Sequence, residues 1–181
     1  MMFNVFENFL VHNWGEDFFE DVLSATTLTT TEPFVAPGTY ADADLFALVE
    51  TTVATLEIPL RDALVEFGRF AFSELARTHP SFVTRHDDVR DLLRAVDSII
   101  HIEVRKLYPG AATPKIQVSD IGDSGVRLTY ASPRRLCAVL EGLVLGAADC
   151  FGTTATMQHS SCMHDGASEC VLDIRFAKGE A

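Results

Sequence analysis

The sequence predicts an α+β fold, with helices through the first half and a four-stranded antiparallel sheet gathered around one late helix. Three observations predict it. Apolar residues recur at helical spacing as far as Tyr108, the pattern changes to short alternating runs from Lys115, and one apolar helix separates two strand pairs. The 181 residues suit a single domain, with a helical part expected over about 1–60 and a second, sheet-bearing part over about 61–181.

Phe3, Phe6, Phe9 and Leu10 give the first helical stripe; Gly15 interrupts it, and Phe18, Phe19, Val22 and Leu23 resume it. Residues 24–41, rich in Thr and holding Pro33, Pro37 and Gly38, read as a loop. Asp42 or Asp44 is the expected cap of a helix whose core face is Leu45, Phe46, Val49, Val53 and Leu56. Pro59 opens another helix, with Leu64, Phe67, Ala71 and Leu75 on one face, which runs to about Thr78 before Pro80 breaks it. A further helix is expected from Asp87 to Tyr108 on the stripe Val89, Leu92, Leu93, Val96, Ile100, Val104 and Leu107, stopped by Pro109-Gly110. Lys115 to Val118 and Val126 to Tyr130 read as strands joined by a turn over Asp120 to Gly125. A helix follows from about Pro133 to Phe151, and Thr154 to His159 and Cys170 to Phe176 form the second strand pair.

Composition narrows the function. Hydrophobic residues make up 48% of the chain and the formal net charge is -12. A mean hydropathy of +0.16 is high for so acidic a chain. It fits either a closely packed core or an apolar pocket for a large cofactor. The acidic surface repels phosphate backbones and anionic headgroups, which argues against nucleic-acid and membrane partners. The first residues, Met1 to Asn8, carry no basic residue, unlike a secretory signal, and no apolar run approaches the roughly 18–20 residues of a membrane span. A cytoplasmic location is therefore expected, where four cysteines point to metal binding or free thiols rather than disulfides.

Three constellations carry chemistry. In Tyr130-Ala131-Ser132-Pro133-Arg134, residues two apart share a face of an extended chain, so a phenol, a hydroxyl and a guanidinium converge as donors for a carboxylate or phosphate. The same stretch also reads as an N-cap serine followed by a first-turn proline. His101 lies beside an apolar helical stripe, either as a satisfied core histidine or as an imidazole facing a heme iron. Cys137, His159, Cys162 and Cys170 have the Cys-x21-His-x2-Cys-x7-Cys spacing of a three-sulfur, one-nitrogen tetrahedral zinc site, with His164 as a substitute ligand. The alternative to the favoured zinc reading is a set of unrelated small core residues. Cys150 falls outside the pattern. No Ser/His/Asp set, phosphate-binding glycine loop or paired carboxylates stands out, so no catalysis is expected.

Together, Ile100-His101-Ile102-Glu103-Val104-Arg105-Lys106-Leu107-Tyr108, Pro114 and the Tyr130, Ser132, Arg134 segment resemble the heme-nitric oxide/oxygen binding (H-NOX) family, and the likeness runs from Phe3-Asn4 to about Phe176. The resemblance implies heme b ligated by His101, propionates held by Tyr130, Ser132 and Arg134, and Pro114 pressing on the porphyrin. It also implies that Val139 and Ala71 stand where oxygen-binding members place hydrogen-bond donors, so nitric oxide and CO are expected to bind but not stable O2. Cys137, His159, Cys162 and Cys170 match the zinc pattern of a subset of the family. The implied output is release of His101 on NO binding, a shift of the helices, and signalling to a separate sensor histidine kinase or cyclic-di-GMP enzyme. Members usually carry a few more residues ahead of the Phe-Asn pair. From Arg134 to Phe176 the chain also resembles the 4-vinyl reductase type of small-molecule-binding domain, which implies a zinc-stabilised receptor without heme; His101 and Pro114 argue against it.

Overall fold

The computed structural model describes residues 2–30, 34, 40–96, 102, 106, 113–122 and 125–178. Helix α1 (Met2–Trp14) and helix α2 (Glu16–Ala25) are separated at Gly15, whose φ of 91° is a left-handed conformation that glycine adopts without a Cβ clash. Helix α3 spans Asp42–Leu56 and α4 spans Leu60–Thr78, with Pro59 at the α4 cap. Pro80 is followed by the single turn α5 (Ser81–Thr84). Helix α6 (Val89–Ala95) is capped by the Asp88 side chain, which accepts from the Asp91 N–H at 2.8 Å. From residue 97 the expected helix to Tyr108, apart from helical residues Ile102 and Lys106, lies outside the described residues, as do Pro109-Gly110, the loop prolines Pro33 and Pro37, and Gly38.

Strands β1 (Lys115–Ile121), β2 (Gly125–Ala131), β3 (Thr153–Ser161) and β4 (Cys170–Lys178) form one antiparallel sheet in the order β1-β2-β4-β3. Tyr130 lies opposite both Ile116 and Cys170, and an irregularity between His159 and Ser161 shifts the β3–β4 register. Between the two strand pairs runs helix α7 (Cys137–Cys150), apolar nearly all round and correspondingly buried. The predicted α+β class is the one observed.

Two expectations about helix starts fail. α7 begins at Cys137 and not near Pro133, because Arg135 adopts a φ of 50° and its N–H bonds the Ser132 carbonyl at 3.1 Å, closing a turn. Ser132 is therefore not the helix cap; its hydroxyl accepts from the Arg134 N–H two residues on, at 3.3 Å. Nor does Asp42 or Asp44 cap α3: the cap is Ala41. Asp44 is instead buried, accepting from the N–H groups of Thr29 and Thr30 at 2.8 and 3.1 Å and from both hydroxyls. These bonds, led by the Thr30 hydroxyl, hold its carboxyl below the usual range.

The core has two parts that meet on α7. Phe72, Leu92, Leu93, Val126, Leu128, Leu140, Val144, Leu172 and Ile174 fill the space between α7, α6 and the inner face of the sheet. Phe6, Phe9, Leu10, Val22, Leu48, Val49 and Phe67 gather among the N-terminal helices, with Val139 of α7 inserted into them. α4 lies directly on α7. A Cβ on Gly68 would overlap the Val139 carbonyl and one on Gly142 the Val65 carbonyl, so glycine at both positions permits the close crossing. No described helix is long and apolar enough to cross a membrane.

Candidate functional site

Strand β2 ends in the turn that carries the anion-binding candidates. Tyr130 is buried, at 3% exposure, and its hydroxyl accepts from the Leu136 N–H at 3.0 Å. Burial pushes the phenol above its ordinary pKa, partly offset by hydrogen bonds from Ser132 and Leu136, so it stays a neutral donor. Ser132 is buried beside it. The turn carries the Arg134 guanidinium to the start of α3, where Nε and Nη2 meet the two carboxylate oxygens of Asp42 at 2.6 and 2.9 Å. This is the two-pronged grip a guanidinium gives a carboxylate. Three donors in one turn, one of them already shaped around a carboxylate, fit the propionate groups of a heme.

Pro114 is half-buried immediately before β1. Val139 and Ala71 belong to the same phenylalanine-rich part of the core, Val139 within it and Ala71 packed against it. Neither side chain has a hydrogen-bond donor. Phe67 meets Phe6 and Phe9 edge to face at centroid distances of 5.7 and 5.6 Å, and Phe70 lies 5.4 Å from Phe9. His101 lies outside the described residues.

At the start of α7 a second cluster forms. Cys137 and Cys170 come from the starts of α7 and β4, Cys162 immediately follows β3, and their sulfurs lie within 4.8 Å of one another. Cys162 is 4.0 Å from Cys137 and 3.9 Å from Cys170, sulfur to sulfur. Those separations are far beyond a disulfide bond. They are close to the edge, about 3.8 Å, of a tetrahedron whose zinc–sulfur bonds are about 2.3 Å. Burial first, and the neighbouring thiols second, push Cys137 up to about 12. Burial also raises Cys170. The Cys137 and Cys170 thiols therefore resist ionisation until a cation joins them, which fits a structural metal site. Cys150 is exposed at the far end of α7, away from this group.

The two histidine candidates are each held by one ring nitrogen. His159 Nε2 lies 2.8 Å from Glu141 Oε1, outside the three-sulfur group. His164 Nε2 donates to the Arg135 carbonyl at 2.9 Å. Glu141 itself is 6% exposed, and its other oxygen accepts from Arg61 of α4 at 2.6 Å. Sequence reasoning missed Glu141, Arg61 and the Arg134–Asp42 pair. One signal was available: Glu141 is the only charged residue between Leu136 and Ala148.

A family described as Haem-NO-binding matches residues 1–159. An H-NOX protein from S. oneidensis in the Fe(II)NO ligation state is 34% identical, with 98% of each chain covered and a TM-score of 0.91. The IWP-051-bound H-NOX from Shewanella woodyi in the Fe(II)CO state is 29% identical over all of this chain and 95% of its own, at a TM-score of 0.84. The unliganded Fe(II) H-NOX protein from K. algicida shares the fold at 21% identity, covering 99% of this chain and 97% of its own, with a TM-score of 0.88.

Proposed function

The chain belongs to the Haem-NO-binding (H-NOX) family, and on that premise we propose that it is a heme-based sensor of nitric oxide. The observation that carries the reading is the turn after β2, where Tyr130, Ser132 and Arg134 gather three donors and Arg134 already grips a carboxylate. These residues would hold the propionates of heme b, and His101 would supply the nitrogen ligand. The heme would supply a ferrous iron able to take a diatomic gas. Relatives in Fe(II)NO and Fe(II)CO states support a gas ligand.

The chain's own residues would select and transmit. Val139 and Ala71 provide no side-chain donor, which disfavours dioxygen relative to NO and CO, because bound dioxygen carries partial negative charge and calls for one. The 1–181 chain acts as one H-NOX domain in this reading, and the aromatic packing of α1, α2 and α3 on α4 and α7 is its movable part. Differential affinity of the gas for two arrangements of these helices shifts their populations. The output passes to a separate protein, for which a sensor histidine kinase or a cyclic-di-GMP enzyme is the expected class.

We also infer a structural zinc on Cys137, Cys162 and Cys170, with His159 as the fourth ligand; its support is the approach of the three sulfurs to within 4.8 Å of one another, Cys162 lying 4.0 and 3.9 Å from the other two.

Hemin titration tests the heme assignment. The wild type is expected to bind hemin in a one-to-one complex, and His101→Gly to lose the ferrous spectrum until imidazole is added. A wild type that takes up no hemin, or a His101→Gly spectrum indifferent to imidazole, would overturn it, and a hemin-free but zinc-containing protein would favour the small-molecule receptor instead.

A further inference from the structure

We propose that Glu141 is the positioning residue of the thiol site: it holds the His159 imidazole by Nε2 and so leaves Nδ1 as the nitrogen that completes a three-sulfur, one-nitrogen metal centre. This rests on the zinc reading above.

Glu141 is the one charged residue of α7 before Asp149, and it is nearly inaccessible to water. A buried carboxylate is costly unless its oxygens are satisfied by donors. Both are: Arg61 donates to Oε2 at 2.6 Å, and His159 Nε2 lies 2.8 Å from Oε1. An ion pair with Arg61, whose own side chain is 61% exposed, gives no reason to bury the acid. Reaching His159 does give one. A carboxylate only accepts, so the proton of that bond sits on Nε2, and the lone pair of the neutral ring is then on Nδ1.

The surroundings agree. Glu141 lies one helical turn after Cys137, on the same face of α7, and His159 lies three residues before Cys162. The Glu141–His159 bond thus joins the helix that begins with Cys137 to the strand that leads into Cys162. A carboxylate bonded to the far nitrogen of a metal-binding histidine fixes its tautomer and orientation and raises its basicity. Arg61 stands at the start of α4, so the same carboxylate also ties that helix to the metal centre.

The test uses the full-length, zinc-loaded protein. Ring-nitrogen NMR of His159 is expected to show Nδ1 bound to metal and Nε2 protonated. Competition with a chromophoric chelator is expected to show zinc affinity weakened about 10–100-fold in Glu141→Ala. Glu141→Gln, which keeps an acceptor oxygen, recovers part of that loss. Arg69→Gln, which breaks the other α4–α7 ion pair to Asp149, leaves affinity unchanged. Metal on Nε2, or wild-type affinity in Glu141→Ala, overturns the proposal while leaving the zinc site standing. A wild type that binds no zinc brings down the zinc reading and this proposal together. Should Glu141→Ala not fold, the wild-type ring assignment decides alone.

Discussion

The two sides of α7 are built on different principles. Towards the sheet, Leu140, Val144 and Ala147 pack on interleaved aliphatic residues from β2 and β4, and the layer ends in three thiols contributed by three separate elements. Towards the N-terminal helices the contact is Val139 and two glycines against α4 and a phenylalanine cluster, joined by the ion pairs Arg61–Glu141 and Arg69–Asp149. The first side is cross-linked by a hydrogen-bonded ladder. The second is held by dispersion between rings and by pairs that sit at least partly in water, which contribute little each. On the proposed reading the difference says where a gas signal would travel: the sheet side would be the fixed frame, and the helical side the part whose packing is exchanged at modest cost.

Phe67→Ala attacks the helical side most directly. Removing the ring that meets Phe6 and Phe9 is expected to cost about 3–5 kcal/mol of stability, measured by urea unfolding. A loss well under 1 kcal/mol would show that the aromatic cluster is not what joins the helices to α7. Gly142→Ala strikes the crossing itself; its methyl group meets the Val65 carbonyl, and about 1–3 kcal/mol of destabilisation is expected by the same assay. An unchanged midpoint would mean that the helices separate freely.

Arg134→Ala sharpens the comparison at the point where the two sides are tied through Asp42. Hydrogen bonds to charged groups contribute about 1.5–3 kcal/mol, so heme loss to an apo-globin scavenger is expected to accelerate roughly 10–100-fold. The smallest expected effect is on pH dependence. Asp44 has a folded pKa below its ordinary 3.8, so its contribution is present above about pH 4 and disappears as pH falls through the folded value. The thermal midpoint of Asp44→Asn should lie below that of the wild type at pH 7, and the gap should close in acid. A gap that persists unchanged at pH 2 would contradict this.

Much of the scaffold was legible from the sequence because it follows from period and punctuation. Gly15 splits the first two helices, Pro59 opens α4, and alternation from Lys115 marks β1. The thiol group was legible from spacing, since β3 and β4 return Cys162 and Cys170 to the start of α7. The failures share a cause. Ser132-Pro133 has the composition of a helix start, yet Arg135 turns left-handed and delays α7 to Cys137, a choice made by tertiary packing. Asp42 looked like a local cap and instead reaches Arg134, 92 residues away. Glu141 and Arg61 are 80 residues apart, and no local pattern announces a pair at that distance.

The measurement that bears most directly on the central claim is the absorption spectrum of the reduced protein before and after nitric oxide, with a parallel sample left in air. The account predicts a Soret band that shifts on adding NO or CO and no persistent oxygen complex in air. A reduced protein with no Soret band, or one whose band ignores nitric oxide, would contradict it.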